Sequence, residues 1–277
     1  MLILLALIGM MRPTDVQVTR CDESALDQAL AAAQDGGTIR FACTGTIPIT
    51  STKVISADLT INADAQPVIL DGGNRVRLFY IERDASVTIN GVDFRRGSAE
   101  SGGSAINNTG TLALSNSILS ENIHALANFG TLTLSQVTFA DNVGAGIYNS
   151  GNATVIDSIF TGNRHGIDNA SGDLIVVSSR FYGNRATERN GIGAGIANSG
   201  SVIVFNSTFY DNFAPVGGGA IGTHRGGQVM LMDSLLLGSE DSPPCFGGMI
   251  DGGHNVQSPG ISCGETIPTS PAQTTRP

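Results

Sequence analysis

The string GTLALSNSILSEN, which begins at Gly110, returns as GTLTLSQVTFADN at Gly130, GNATVIDSIFTGN at Gly151, GDLIVVSSRFYGN at Gly172 and GSVIVFNSTFYDN at Gly200. A weaker copy starts at Gly227, and two earlier ones without the glycine start at Ala57 and Ala85. The unit is about twenty residues, lengthened in some turns. Two and four positions after each start the residue is always apolar, as in Leu112 and Leu114, Leu132 and Leu134, Val202 and Val204. That alternation is the signature of a strand with one buried face. Nine after the start comes a second inward column, Phe94, Leu119, Phe139, Phe160, Phe181, Phe209 and Leu236, on a second short strand. A third apolar group precedes the next unit: Leu126 with Asn128, Ile147 with Tyr148 and Asn149, Ile167 with Asn169, Ile196 with Asn198. Three short strands per unit, with like residues stacking on like, predict an all-β fold, a single-stranded right-handed parallel β-helix of about eight rungs. At about 4.8 Å per rung the rod is roughly 40 Å long.

Twelve after each start stand Asn122, Asn142, Asn163, Asn184 and Asn212. Asparagine tolerates left-handed corners, and its amide can bond the asparagine of the next rung, so these residues are expected to form a structural ladder. The open ends of such a solenoid need covering. Asp22 can cap an amphipathic helix from about Glu23 to Gln34, ahead of a strand near Thr38 to Phe41. The glycine-rich stretch from Pro243 to Gly264 is expected to close the other end.

Glycine reaches 36 of 277 residues while charged residues are only 14%. That balance excludes a disordered tail or a coiled coil. A net charge of −9 argues against a nucleic-acid or anionic-membrane partner bound through a basic face. The apolar run Met1 to Met11 is too short to span a bilayer but suits the centre of a secretory signal, although no basic residue precedes it and no small-x-small site follows. Residues 1–19 are therefore read as a signal-like flexible N-terminus, 20–264 as the β-helix with its caps, and 265–277 as a Pro/Thr-rich tail. Four cysteines allow three pairings. Pairing within each end, Cys21 with Cys43 and Cys245 with Cys263, is the economical one for an exported chain; four free thiols are the alternative.

The opening segment CDESALDQALAAAQDGGTIRFACTGTI, the link VILDGGNRVRLFYI, the GTLTLSQVTFADN units with their Asn-x-Gly returns, and the ending CFGGMIDGGHNVQSPGISCG carry a resemblance over residues 20–264. The chain resembles the secreted right-handed β-helix proteins of the pectin lyase-like superfamily, and more narrowly bacterial surface proteins with polymorphic outer-membrane-protein-like repeats. The resemblance implies a secreted or cell-surface bacterial location. It does not fix an activity, because that architecture hosts lyases, hydrolases, epimerases, adhesins and inert surface modules alike. The lyases hold calcium on clustered carboxylates beside an Arg or Lys base, and the hydrolases use a carboxylate pair. The hydrolases' paired-aspartate and Arg-Ile-Lys motifs are absent here, and Lys53 is the only lysine.

If the chain is an enzyme, the first catalytic candidates are Asp157, Arg164, His165 and Asp168, with His124 matching His165 two rungs away. Binding candidates are Tyr182 and Tyr210, which share an outward column, and the mixed charges Arg185, Glu188 and Arg189 on an inserted turn. Insertions at Gly97 to Ala105, Ala186 to Ala194 and Pro215 to Ala220 are expected to gather on one side as a binding rim. A further outward face turns apolar halfway along, with Ile175, Ile203 and Met230 in one column and Ile156, Val177, Phe205 and Met232 in the next. Something should cover it. The segment from Ser239 onward is the expected cover, and self-association is the alternative. The sequence is thus read as an exported surface or extracellular module for adhesion or for binding carbohydrate or a surface protein, without catalysis. It needs no cofactor or metal and has no membrane-spanning segment. The alternative is a carbohydrate-active enzyme, a polysaccharide lyase or glycoside hydrolase, on an acidic or neutral polysaccharide; calcium enters only with the lyase.

Overall fold

The computed structural model describes residues 14–33, 36–64, 66–224 and 226–270. These wind into a right-handed parallel β-helix whose turns lay strands on three sheets. The first sheet runs over eleven strands from Asp15–Val18 to Ile250–Asp251, the second over ten from Gly45–Pro48 to Val256–Ser258, and the third over nine from Lys53–Ile55 to Cys245–Phe246. There are about ten turns, where the repeat predicted eight. The extra ones are the end turns, whose residues pack against caps and so lack the repeat's glycine and phenylalanine.

The interior follows the inward columns. Leu112, Leu132 and Ala153 pair in register on the first sheet, and all are buried. On the second sheet the rings of Phe139, Phe160, Phe181 and Phe209 stack with centroids 4.8, 4.6 and 4.6 Å apart. The predicted asparagine ladder forms: the Nδ2 of Asn122, Asn142, Asn163 and Asn184 each donates to the Oδ1 of the next asparagine, ending on Asn212, at 3.0, 2.8, 3.0 and 2.9 Å. A second ladder climbs through Asn108, Asn128, Asn149, Asn169 and Asn198. Left-handed geometry falls on the residue before each member of the first ladder, including Glu121 (φ 56°), Asp141 (φ 53°) and Asp211 (φ 54°). The asparagines bond inward, and their neighbours carry the strained backbone.

The helix spans Glu23–Ala32, two residues shorter than predicted, and connects the first two strands of the first sheet, which pair directly with each other. Asp22 accepts the Ala25 N–H at 2.8 Å, and Leu26, Ala29 and Ala33 are buried over the end of the core. Lys53, 5% exposed, holds the helix down through Glu23 and Asp27, each at 2.7 Å. Burial pushes the Glu23 carboxyl up, but the hydrogen bonds from Lys53 and Thr50 and the Lys53 charge prevail and lower it to about 2. Cys21 is bonded to Cys43 and Cys245 to Cys263, the end-local pairing.

Three boundary expectations change. The strand Asp15–Val18 belongs to the solenoid and not to a flexible N-terminus. At the other end Ile267 is buried in the core and Thr269 pairs with Gln257, so the cap extends past residue 264. The segment after Ser239 does not cover the apolar columns. It forms the last turn itself, giving Cys245–Phe246, Ile250–Asp251 and Val256–Ser258 to the three sheets. The columns through Ile175 and Phe205, 42% and 39% exposed, stay on the surface and gain Ile250. Met1 to Met11, Gln34 and residues 271–277 lie outside the described residues. Among the described residues no helix is long and apolar enough to cross a membrane.

Candidate ligand-binding face on the third sheet

All three insertions fall in the turn that leads from the second sheet into the third, on one side of the rod as expected of a rim. Loop 97–104 is tied down by Arg77, whose guanidinium donates to the carbonyl oxygens of Gly103 (2.8 Å) and Ser101. The loop backbone touches the sheet: a Cβ on Gly103 would stand 1.9 Å from the Ile106 oxygen, so only glycine fits. Further along the rod Gly193 does the same, its missing Cβ 2.3 Å from the Ile196 oxygen. Ala127 and Ala197 are buried beneath these two shelves.

Between the shelves the strands Ala145–Asn149 and His165–Asn169 pair Tyr148 with Asp168. Ile147, Ile167, Asn149 and Asn169 point inward, so alternation sends Tyr148 and Asp168 out. The sequence groups Tyr148 with the inward residues of its return; the pleat puts it outside, tilted at 49° against Phe129 with centroids 5.9 Å apart. Phe129 is exposed. The sequence did not mark this pair, because Tyr148 stands between two inward residues and Phe129 falls in a turn outside the repeating columns. The rings of Tyr182 and Tyr210 lie on the second sheet and stack on each other at 5.0 Å and 8°, with no part in this face.

Arg164, His165 and Asp168 come together here as the sequence suggested, and the inserted loop brings Glu188 to them. Arg164 Nη2 lies 2.5 Å and His165 Nε2 3.3 Å from Glu188 Oε1, while His165 Nδ1 lies 2.9 Å from the Gly193 carbonyl oxygen. Glu188 Oε2 is buried without a hydrogen-bond partner. Burial raises the Glu188 carboxyl, but its own backbone N–H and the charges of His165 and Arg164 bring it below its ordinary value. Asp168 has no hydrogen bond to any described residue. Burial pushes its carboxyl up, against the opposing charges of His165, Arg164 and His224. His124 is pushed down by burial and by Arg164, with Asp168 acting the other way. Ala145, paired with His165, occupies the turn between the two imidazoles.

Asp157 does not join the cluster. It sits at the corner between the first and second sheets with φ 49°, in a left-handed column with Asn116, Gln136, Ser178, Asn206 and Asp233. Arg185 pairs through its backbone with Phe213, and neither it nor Arg189 makes an ion pair among the described residues. No three His, Cys, Asp or Glu side chains among the described residues converge to hold a metal ion. The chemistry available is that of a carboxyl able to keep or share a proton, a guanidinium, imidazoles and an aromatic surface.

No protein-family model matches the chain, and no curated protein sequence matches it. Among solved structures it is similar to an arginine-to-alanine variant of the PL6-family alginate lyase AlyGC, with 16% identity and a TM-score of 0.47 over 85% of this chain. It is also similar to the pectate lyase Pel9A, with 20% identity and a TM-score of 0.42 over 84% of this chain. The chain spans 40% of the length of the first and 66% of the second.

Proposed function

We propose that the protein is an exported β-helix module that binds glycan on the third sheet, between its two loop shelves, without cleaving it. The observation that carries this reading is Asp168, partly buried, without a hydrogen bond to any described residue and paired in register with Tyr148. Tyr148 and Phe129 offer apolar surface to a sugar ring, while Asp168 and Arg164 offer an acceptor and donors for hydroxyl groups. The two disulfides fit an oxidising compartment outside the cytosol.

A second reading, a polysaccharide lyase or glycoside hydrolase, is favoured by one feature: a carboxyl raised by burial beside an arginine is how an acid–base group is prepared. A glycan and polysaccharide binding screen beside a cleavage assay separates the two. Binding that Asp168→Asn and Tyr148→Ala each weaken at least about tenfold, with no reducing ends or unsaturated products released, supports the module. Cleavage abolished by Asp168→Asn establishes the enzyme, and no binding to any glycan overturns both.

A further inference from the structure

The inserted loop is held by a histidine whose two ring nitrogens both face acceptors. His165 is 9% exposed at its side chain; Nδ1 meets the Gly193 carbonyl oxygen at 2.9 Å and Nε2 meets the Glu188 carboxylate at 3.3 Å. A carbonyl oxygen only accepts, so Nδ1 must carry a proton. A carboxylate also only accepts, so Nε2 must carry one too, and a neutral imidazole has a single N–H. The two contacts sit at opposite ends of the loop, so one ring closes it at both ends.

We propose that the segment Ala186–Gly193 is a proton-controlled latch over the third-sheet face, fully closed only when His165 is an imidazolium. Imidazoles change charge between about pH 5 and 8. When His165 is neutral it keeps the Gly193 bond, and its Nε2 lone pair then faces the carboxylate. Glu188 is left to Arg164 alone, and the first half of the loop loosens. The charged groups that face the ring are Glu188 from the loop, Arg164 beside it and Asp168 on its own strand. His124 and His224, from an earlier and a later turn, act with Arg164 or Asp168, whereas the ion pairs of Glu188 among the described residues are with Arg164 and His165. The latch regulates the face assigned above to glycan, and in that respect it rests on that reading; the loop motion itself needs no glycan.

Glu188→Gln gives the decisive test. Arg164 and His165 share one oxygen of Glu188; a glutamine with its Nε2 at that point can donate to the lone pair of a neutral His165, giving up Arg164, so the contact to His165 no longer needs the second proton. Amide hydrogen exchange of peptides covering 186–194, corrected for the intrinsic pH dependence, is measured from pH 5.5 to 8 with no ligand present. In the wild type, protection is expected to fall about tenfold or more. Peptides across Phe139 to Phe181 should stay constant, and Glu188→Gln should remove the fall in the loop. A flat wild-type profile overturns the proposal, and so does a Glu188→Gln profile that falls like the wild type. Nitrogen NMR of His165 gives a second reading on the unmutated protein: the neutral ring is expected as the Nδ1–H tautomer, and an Nε2–H tautomer overturns the latch. Loop exchange that obeys these expectations in a protein that binds no glycan sinks the functional reading and leaves the latch standing.

Discussion

Two outer faces of this rod have been treated in opposite ways. The third-sheet face is flanked by inserted loops, carries both signs of charge, and holds a partly buried carboxyl between its shelves. On the first-sheet face the described residues leave Ile175 and Phe205 exposed. Its outward columns run from Thr88, Thr133 and Thr154 to Ile175, Ile203 and Met230 with no change in backbone register. Both faces hang on the same inward stack, so the stacking that fixes the fold leaves the outward positions free. Function on such a scaffold is written in what the turns add and in what the outward column carries, and the two faces show those devices separately.

The largest expected effect strikes both faces together. Phe160→Ala removes the middle of a four-ring stack and should cost about 3–5 kcal/mol in denaturant unfolding. A loss under about 1 kcal/mol would mean that the rings do not carry the core. Gly193→Val should separate the faces. It pushes the loop off the third sheet at an expected cost of about 1–3 kcal/mol, and glycan binding should go with it while the first-sheet face keeps its properties.

Asp168→Asn comes next and carries a sign. A buried carboxyl whose folded value lies above its unfolded one contributes stability that is complete below the unfolded value and lost as pH rises through the folded one. The neutral amide escapes that loss. The variant should therefore melt at the wild-type temperature or about 2 °C above it at pH 7, bind glycan more weakly, and show a flatter stability profile on the acid side of neutral. A lower melting temperature at pH 7 would show that the charged carboxylate is stabilising where it stands. Ile175→Thr with Phe205→Ser should change stability least, within about 0.5 kcal/mol, since both side chains are already exposed. Sedimentation of this double variant beside the wild type sharpens the contrast: a wild-type dimer that the variant dissolves assigns the bare face to self-association, and two monomers remove that role.

The inward half of the structure was legible because a solenoid repeats its neighbours. Leu112 over Leu132 and Phe160 over Phe181 are the same chemistry in consecutive turns, and counting residues finds them. The end turns escaped because their partners are caps: Gln257 bonds the carbonyl oxygens of Gly264 and Ile267, a contact that no other turn repeats. The candidate site was half legible. Arg164, His165 and Asp168 lie within five residues of one another, whereas Glu188 reaches them only because a loop folds back across the sheet. Asp157 misled for a readable reason. It shares a corner column with Asn116, Gln136 and Ser178, residue types that suit a left-handed bend or a solvated turn, and that column could have marked it as structural.

A rod wound from one thread comes apart as a spool does, from a free end. The disulfides stand where unspooling would begin: Cys21 ties the chain ahead of the helix to the close of the first strand of the first full turn, and Cys263 ties the final cap back to the last strand of the third sheet. Either end can then loosen only as a closed loop, which enlarges the piece that must be lifted before any interior turn is exposed. Once the outermost strand, Asp15–Val18, has peeled, the two bonds guard the turns between them by raising the cost of the next step at either end.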